Sequence, residues 1–296
     1  PVVLFCFNRP SETKKVFAEI KKIKPIKIFL VMDGPRKNNK KDIINCLKVR
    51  KIISNINWNC RVHSNFSKIN LGLKKRFTKG LKWVFSKTKS AIILEDDCLP
   101  SKDFFYFCEN LLNYYNKSKK VKFITGNCFQ NKKMKLKETY YFSKYSHIWG
   151  WAAWSETWKM YNDNDEYWDK YLNSKKFDKI CENKKERKYW RQMFKDIKSG
   201  ELKSWAFYML MSMWKNQMLT ATPKINLVKN LGFKKTGTNT KKIGIKSVLS
   251  KSNIDKPIIH PKKILINKKA DEYVFNNVYN LSFEKKIINT LKSLIN

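Results

Sequence analysis

Residues 91–100 read AIILEDDCLP. Four apolar residues run without interruption into three adjacent carboxylates, Glu95, Asp96 and Asp97, and Pro100 ends the segment. A continuous apolar run is what a parallel strand covered on both faces requires, because neither face meets water. Ligands of open α/β sheets bind beyond the carboxyl ends of such strands, where these three acids stand. Three neighbouring negative charges repel one another, and a hard divalent cation answers that repulsion, taking one or two carboxylates and completing its shell with water and phosphate oxygens. The competing reading is a solvated acidic turn opening the next helix, with Ser101 or Asp103 as its cap.

Outward from this stretch the pattern repeats. Strand-like runs are expected at 2–7, 26–32, 60–66, 91–95 and 121–126. Helical spacings lie between them: Val16, Phe17, Ile20 and Ile23 after a Ser11 cap; Ile43, Ile44, Leu47, Ile52 and Ile56; Leu73, Phe77, Leu81, Val84 and Phe85; and Phe104, Phe105, Phe107, Leu111 and Leu112. Strand and helix alternating at this interval predict an α/β fold with a mostly parallel, doubly wound sheet. Asn8-Arg9-Pro10 then follows the first strand and Asp33-Gly34-Pro35-Arg36 the second, on the same sheet edge as Glu95–Asp97. Arg9 suits bidentate contact with phosphate, and Asp33 suits a base N–H or a ribose hydroxyl. Both segments are also good turn sequences, so the convergence on one edge, not either segment alone, favours a nucleotide site.

Beyond residue 126 the character changes. Tyr140, Tyr141, Phe142, Tyr145, Trp149, Trp151, Trp154 and Trp158 crowd together, and helices are expected near 148–161, 186–198 and 203–216, followed by a strand over 219–228. From about 241 the chain is Lys-rich and closes on a basic amphipathic helix carrying Phe283, Ile287, Ile288, Leu291, Leu294 and Ile295. Such a helix packs on its own domain or lies on an anionic membrane.

The 296 residues carry Lys+Arg 63 against Asp+Glu 24, a net charge of +39. Only seven of the basic residues are Arg, the lysines are dispersed, and Asn and Ile are abundant too, which points to biased composition and away from a nucleic-acid partner. Anionic lipid or a polyanionic substrate is the functional alternative. No apolar run reaches the 18 or so residues of a membrane span. The seven Cys form no C-x-x-C pair, which argues against a zinc site or a disulfide framework and for a reducing, cytoplasmic setting, with a peripheral place on the inner membrane face as an extension of it. Pro1 in place of Met predicts a trimmed start.

Six segments in order carry a resemblance: LFCFNRP (4–10), FLVMDGPR (29–36), NLG (70–72), IILEDDCLPSKDFFYFCE (92–109), HIWGWAAWSETW (147–158) and PKINLVKNLGF (223–233). Over residues 1–240 the chain resembles GT-A glycosyltransferases, in particular the bacterial family-2-like (hemolytic-protein-like) group, and more distantly the N-acetylglucosaminyltransferase I type. The resemblance implies a nucleotide-binding half over 1–126, an acceptor half over 127–240 rich in aromatics, and a basic extension over 241–296. It implies Mn²⁺ or Mg²⁺ held by Asp97, the last acid of a DXD-type motif, with Glu95 and Asp96 toward ribose and sugar. Arg9, Asp33 and Asn70 would line the nucleotide pocket, Trp151 and Trp149 would floor the sugar and acceptor site, and Asn230–Phe233 would form a loop closing over the donor.

The implied activity is transfer of a sugar from a nucleoside-diphosphate sugar, UDP-linked by expectation, to a glycan or lipid-linked saccharide acceptor with inversion. One departure stands out. Relatives often carry Trp-Asp where this chain has Trp205-Ala206, and that Asp is a natural general base. A carboxylate or His must deprotonate the attacking hydroxyl, leaving Glu156, Glu201 and His147 as candidates. The alternative is a catalytically impaired sugar- or polyanion-binding protein on the same fold. A nucleotidyltransferase making the activated sugar fits less well, since FNRPSETKK replaces the Gly-rich loop that class places after its first strand.

Overall fold

The computed structural model describes residues 1–130, 134–232 and 250–280. Its first half alternates strand and helix: β1 (Val2–Cys6), α1 (Pro10–Ile23), β2 (Lys27–Met32), α2 (Lys40–Ile53), β3 (Arg61–Phe66), α3 (Leu73–Phe85) and β4 (Ser90–Glu95). There follow β5 (Cys98–Pro100), α4 (Lys102–Tyr114), β6 (Val121–Thr125), β7 (Tyr140–Ser143), β8 (Trp151–Trp154) and α5 (Ser155–Lys159). The remainder comprises α6 (Asp165–Leu172), α7 (Lys175–Ile180), α8 (Lys184–Lys198), α9 (Trp205–Lys215), β9 (Leu219–Pro223), β10 (Val228–Asn230) and α10 (Lys268–Val274). Helix α1 starts one residue before Ser11, with Pro10 at its first position, where a missing N–H costs nothing.

Eight strands form one sheet in the order β3-β2-β1-β4-β8-β6-β9-β7. Strands β3, β2, β1 and β4 are mutually parallel, as the alternation of strand and helix predicts, while β8 enters antiparallel between β4 and β6. The two faces separate by residue parity. Val2, Leu4 and Cys6 of β1 pack with α1, α2 and α4, and Val3 and Phe5 pack with α3 and α9. This period-2 division puts a helical layer on each side of the sheet. A third cluster joins Trp168, Phe177, Trp190, Phe207 and Trp214 from α6–α9.

Two expectations change. The predicted helix near 148–161 is instead strand β8 followed by the short α5. The spacing of Trp151, Trp154 and Trp158 suits a helix, but WAAW alternates just as well across a sheet. Trp151 and Ala153 face one core cluster, Ala152 and Trp154 the other, and all four are buried. Pairing with β4 and β6 on both sides outweighs the local preference. The single strand expected over 219–228 is divided into β9 and β10, since the chain turns after Pro223 and β10 pairs antiparallel with β5. Residues 250–280 are tied to the sheet: Asn267 N donates to Phe142 O, Ile254 N to Asp103 Oδ2, and Lys144 N to Asp271 Oδ2. The terminal amphipathic helix and Phe233 lie outside the described residues.

Candidate functional site

Strand polarity brings the candidate residues to one edge. Each parallel strand ends there, so Phe7–Arg9 after β1, Asp33 after β2 and Glu95–Asp97 after β4 are neighbours in space. The Arg9 guanidinium lies across two of the acids, with Nη1 2.5 Å from Asp97 Oδ2 and 3.5 Å from Asp96 Oδ1. Asp96 is anchored from behind, its Oδ2 accepting from Phe7 N at 2.9 Å.

Crowding shows in the acidities. Burial, reinforced by Asp97, raises the Asp96 carboxyl to about 7 against the opposing pull of Arg9 and the Phe7 N–H. Desolvation and the two neighbouring aspartates raise Glu95 strongly as well. The cluster thus stores a demand for positive charge that Arg9 meets in part.

Asp33 plays a different part. It is 6% exposed, and its oxygens accept from Gly34 N at 3.0 Å, Leu71 N at 2.9 Å, Gly72 N at 3.0 Å and Asn70 Nδ2 at 3.1 Å. A carboxylate offers about four acceptor positions, so the loop takes the capacity expected for a base or ribose. Asn70 Nδ2 also donates to Gly34 O at 2.9 Å, and Gly72, at φ +77°, turns the chain into α3. Asp33 and Asn70 therefore brace the two loops against each other.

The acids are roofed by the end of β10. Leu231 N donates to Asp97 O at 2.7 Å, and Gly232 N to Asn230 Oδ1 at 2.7 Å. A Cβ on Gly232 would lie 2.5 Å from Asp97 Oδ2, so only glycine passes this close.

Nearby in the fold's second half, a cavity of about 210 Å³ opens between the sheet edge and helices α8 and α9, with His147, Trp149 and Ala206 among its walls. Asn127, at the end of β6, holds Trp149 through its Oδ1, which accepts from Trp149 N at 2.7 Å. The Asn127 Nδ2 and Ser146 Oγ atoms, both in residues lining this cavity, are buried without a hydrogen-bond partner among the described residues. His147 packs edge-on against Phe129 and lies 3.3 Å through Nδ1 from the Tyr279 hydroxyl.

Three sequence candidates do not join this arrangement. Trp151 is 1% exposed and stacked on Phe123 with ring centres 4.8 Å apart, so it is core and cannot present a face to a sugar. Glu156 follows β8, which runs antiparallel to β4 with Trp154 opposite Ser90, so it stands at the far edge of the sheet from the acids. There it is paired with Lys122 at 2.8 Å, and the hydrogen bond from Lys122 holds its carboxyl below the ordinary glutamate pKa. Glu201 is exposed in the loop before α9, outside the lining of the cavity.

Asp42 was not among the sequence candidates. It accepts from Asn8 Nδ2 at 2.6 Å and from Arg36 Nε and Nη2 at 2.5 and 2.9 Å, linking the loops after β1 and β2. The available signal was an acid in the first turn of an otherwise Lys-rich helix. Asn127 carried no comparable signal, because its role depends on β8 lying beside β6.

Among the described residues no group of three or more His, Cys, Asp or Glu is arranged to hold a metal. Asp96 and Asp97 nevertheless converge on one cationic group, Arg9, and magnesium-like ions commonly take only one or two carboxylates from protein. The donor set therefore fits such an ion when a diphosphate supplies further oxygens.

No family model matches the chain, and no curated protein matches it. Among solved structures, a mannosyltransferase from Pyrobaculum calidifontis in complex with GDP-Man and Mn²⁺ is 11% identical, covers 53% of this chain and 45% of its own, and superposes with a TM-score of 0.36. A 4-diphosphocytidyl-2C-methyl-D-erythritol synthase from Anaerococcus prevotii is 13% identical over 59% of this chain and 77% of its own, TM-score 0.35. A UDP-glucose pyrophosphorylase complexed with UDP-glucose is 13% identical over 53% and 77%, TM-score 0.31.

Proposed function

We propose that the protein is a glycosyltransferase that moves a sugar from a nucleoside-diphosphate sugar, UDP-linked by preference, to a glycan or lipid-linked saccharide. The observation that carries this reading is the meeting of Arg9, Asp96 and Asp97 at the carboxyl edge of the sheet, with an aromatic cavity on the neighbouring strands.

In this reading Asp97, with Asp96, holds Mn²⁺ or Mg²⁺, which supplies Lewis-acid stabilisation of the donor diphosphate. Arg9 is the second positive group, moving from the carboxylates to a phosphate oxygen and neutralising charge on the departing diphosphate. Asp33 and Asn70 hold the 70–72 turn that walls the nucleotide pocket. The acceptor rests against Trp149. His147 takes the proton of its hydroxyl as the new bond to the anomeric carbon forms and the carbon–phosphate-oxygen bond breaks, with the electron pair leaving on the diphosphate. A single displacement of this kind inverts the anomeric centre.

One observation favours a second reading. Ala206 lines the cavity where an acidic base is expected, as in a binding protein that has lost turnover. A thermal-shift panel of nucleotide sugars with Mn²⁺, followed by product analysis, separates the possibilities. Stabilisation with release of nucleoside diphosphate supports the transferase, stabilisation without turnover the binder, and consumption of added pyrophosphate with formation of nucleoside triphosphate and sugar 1-phosphate a nucleotidyltransferase. No stabilisation by any nucleotide sugar would sink all sugar-nucleotide readings.

A further inference from the structure

Helices α1 and α2 pack side by side and leave a shallow groove of about 680 Å³ on the outer surface. Its rim carries Lys14, Lys21, Lys48 and Lys51, its floor is apolar with Phe17 and Ile52, and no carboxylate among the described residues lines it. The three acids of these helices point elsewhere: Asp42 is buried against Arg36, Glu19 pairs with Lys22 and Lys251, and Glu12 lies outside the groove lining, where its charge acts on Asp96. None of the four rim lysines takes part in an ion pair with a described residue.

The outer side of α2 continues the same character. Ile43, Ile44 and Leu47 are 45%, 53% and 60% exposed, a concentration of large aliphatic side chains standing out into solvent within five positions. At the spacing of 40, 44, 47, 48 and 51, Lys40, Ile44, Leu47, Lys48 and Lys51 share one side of the helix, placing aliphatic groups between ammonium groups. Protruding aliphatics framed by lysines match the layering of an anionic bilayer surface, where apolar side chains enter the interface and cations meet headgroup phosphates. Ile43, Ile44 and Leu47 lie outside the groove lining, so a partner seated in the groove would leave them in water, whereas a bilayer interface takes them up.

The position is apt. Pro10 lines the groove and follows Arg9 directly, so the groove begins at the edge that carries the acids. We infer that the α1/α2 surface docks the protein on an anionic phospholipid membrane, with Lys14, Lys21, Lys48 and Lys51 on headgroup phosphates and Ile44 and Leu47 in the interface. This inference stands independently of the transferase reading.

The test is co-sedimentation of the full chain with phosphatidylcholine vesicles lacking or containing phosphatidylglycerol. Binding is expected only with the anionic lipid. It should fall by more than about tenfold in Lys48→Glu/Lys51→Glu, given the usual contribution of each lysine near an anionic surface. Ile44→Asp/Leu47→Asp should lower it as well. Lys184→Glu/Lys188→Glu makes the same charge change on the basic side of α8 and should stay within about twofold of wild type if location, not net charge, governs binding. All the replaced side chains are exposed, and unchanged melting temperatures verify folding. Equal binding by the α1/α2 variants overturns the inference, as does an equal loss in the α8 control. Binding to soluble polyglutamate but not to vesicles, with the same dependence on α1/α2, would also overturn it in favour of an acidic protein partner.

Discussion

Arg9 serves as counter-ion to Asp96 and Asp97 before any ligand arrives, and a divalent ion would compete for the same carboxylate oxygens. Arg9→Ala should therefore bind Mn²⁺ more tightly than wild type without nucleotide, yet bind a nucleoside diphosphate at least about tenfold more weakly, as loss of a charge-assisted contact implies. Titration calorimetry of each ligand checks both. For the proton acceptor, His147→Gln should lower kcat by about 10²–10⁴, the usual range for a general base, while donor affinity stays unchanged. A kcat close to wild type would move the role elsewhere. Gly232→Ala sets a Cβ against Asp97 Oδ2 and should weaken Mn²⁺ binding with little loss of melting temperature.

Among the elements, the loops after β1 and β2 are held by two carboxylates, Asp33 and Asp42. Asp33→Ala strands the Leu71 and Gly72 N–H groups and should cost about 1–3 kcal/mol, measurable by urea denaturation, together with donor affinity. The Arg36 guanidinium holds the Asp42 carboxyl down to about 2 from 3.8. Its folded pKa is lowered, so its stabilisation is present above about pH 4 and is lost as the pH falls toward 2. Asp42→Asn should then be about 1–2 kcal/mol less stable than wild type at pH 7, after allowance for the exposure of Arg36, and the gap should narrow steadily below pH 4.

At the scale of the whole molecule, the first half, residues 1–126, was legible in the sequence because its signals are local. VVLFC and AIILE are too apolar for any place but a covered strand, and the turns after them carry their polar residues on consecutive positions. The second half was harder for a physical reason. WAAW fits a helix and a strand equally, and only the gap between β4 and β6 decides between them. Once β8 is a strand, Trp151 turns into the core and Glu156 goes to the opposite edge, while Trp149, His147 and Asn127 come together around the cavity. No spacing rule along the chain announces that grouping, because its members come from β6, the segment before β8, and α9.

In the proposed site the carboxyl edge holds a nucleoside diphosphate through Arg9 and a metal on Asp97. The most direct test of this arrangement is calorimetric titration of UDP into the wild-type protein and into Asp97→Asn, each with and without Mn²⁺. UDP binding should be strengthened at least about tenfold by Mn²⁺ in the wild type, with that enhancement abolished in Asp97→Asn, as loss of a charged ligand at a metal requires. UDP affinity that is the same in both proteins, with and without Mn²⁺, would contradict it.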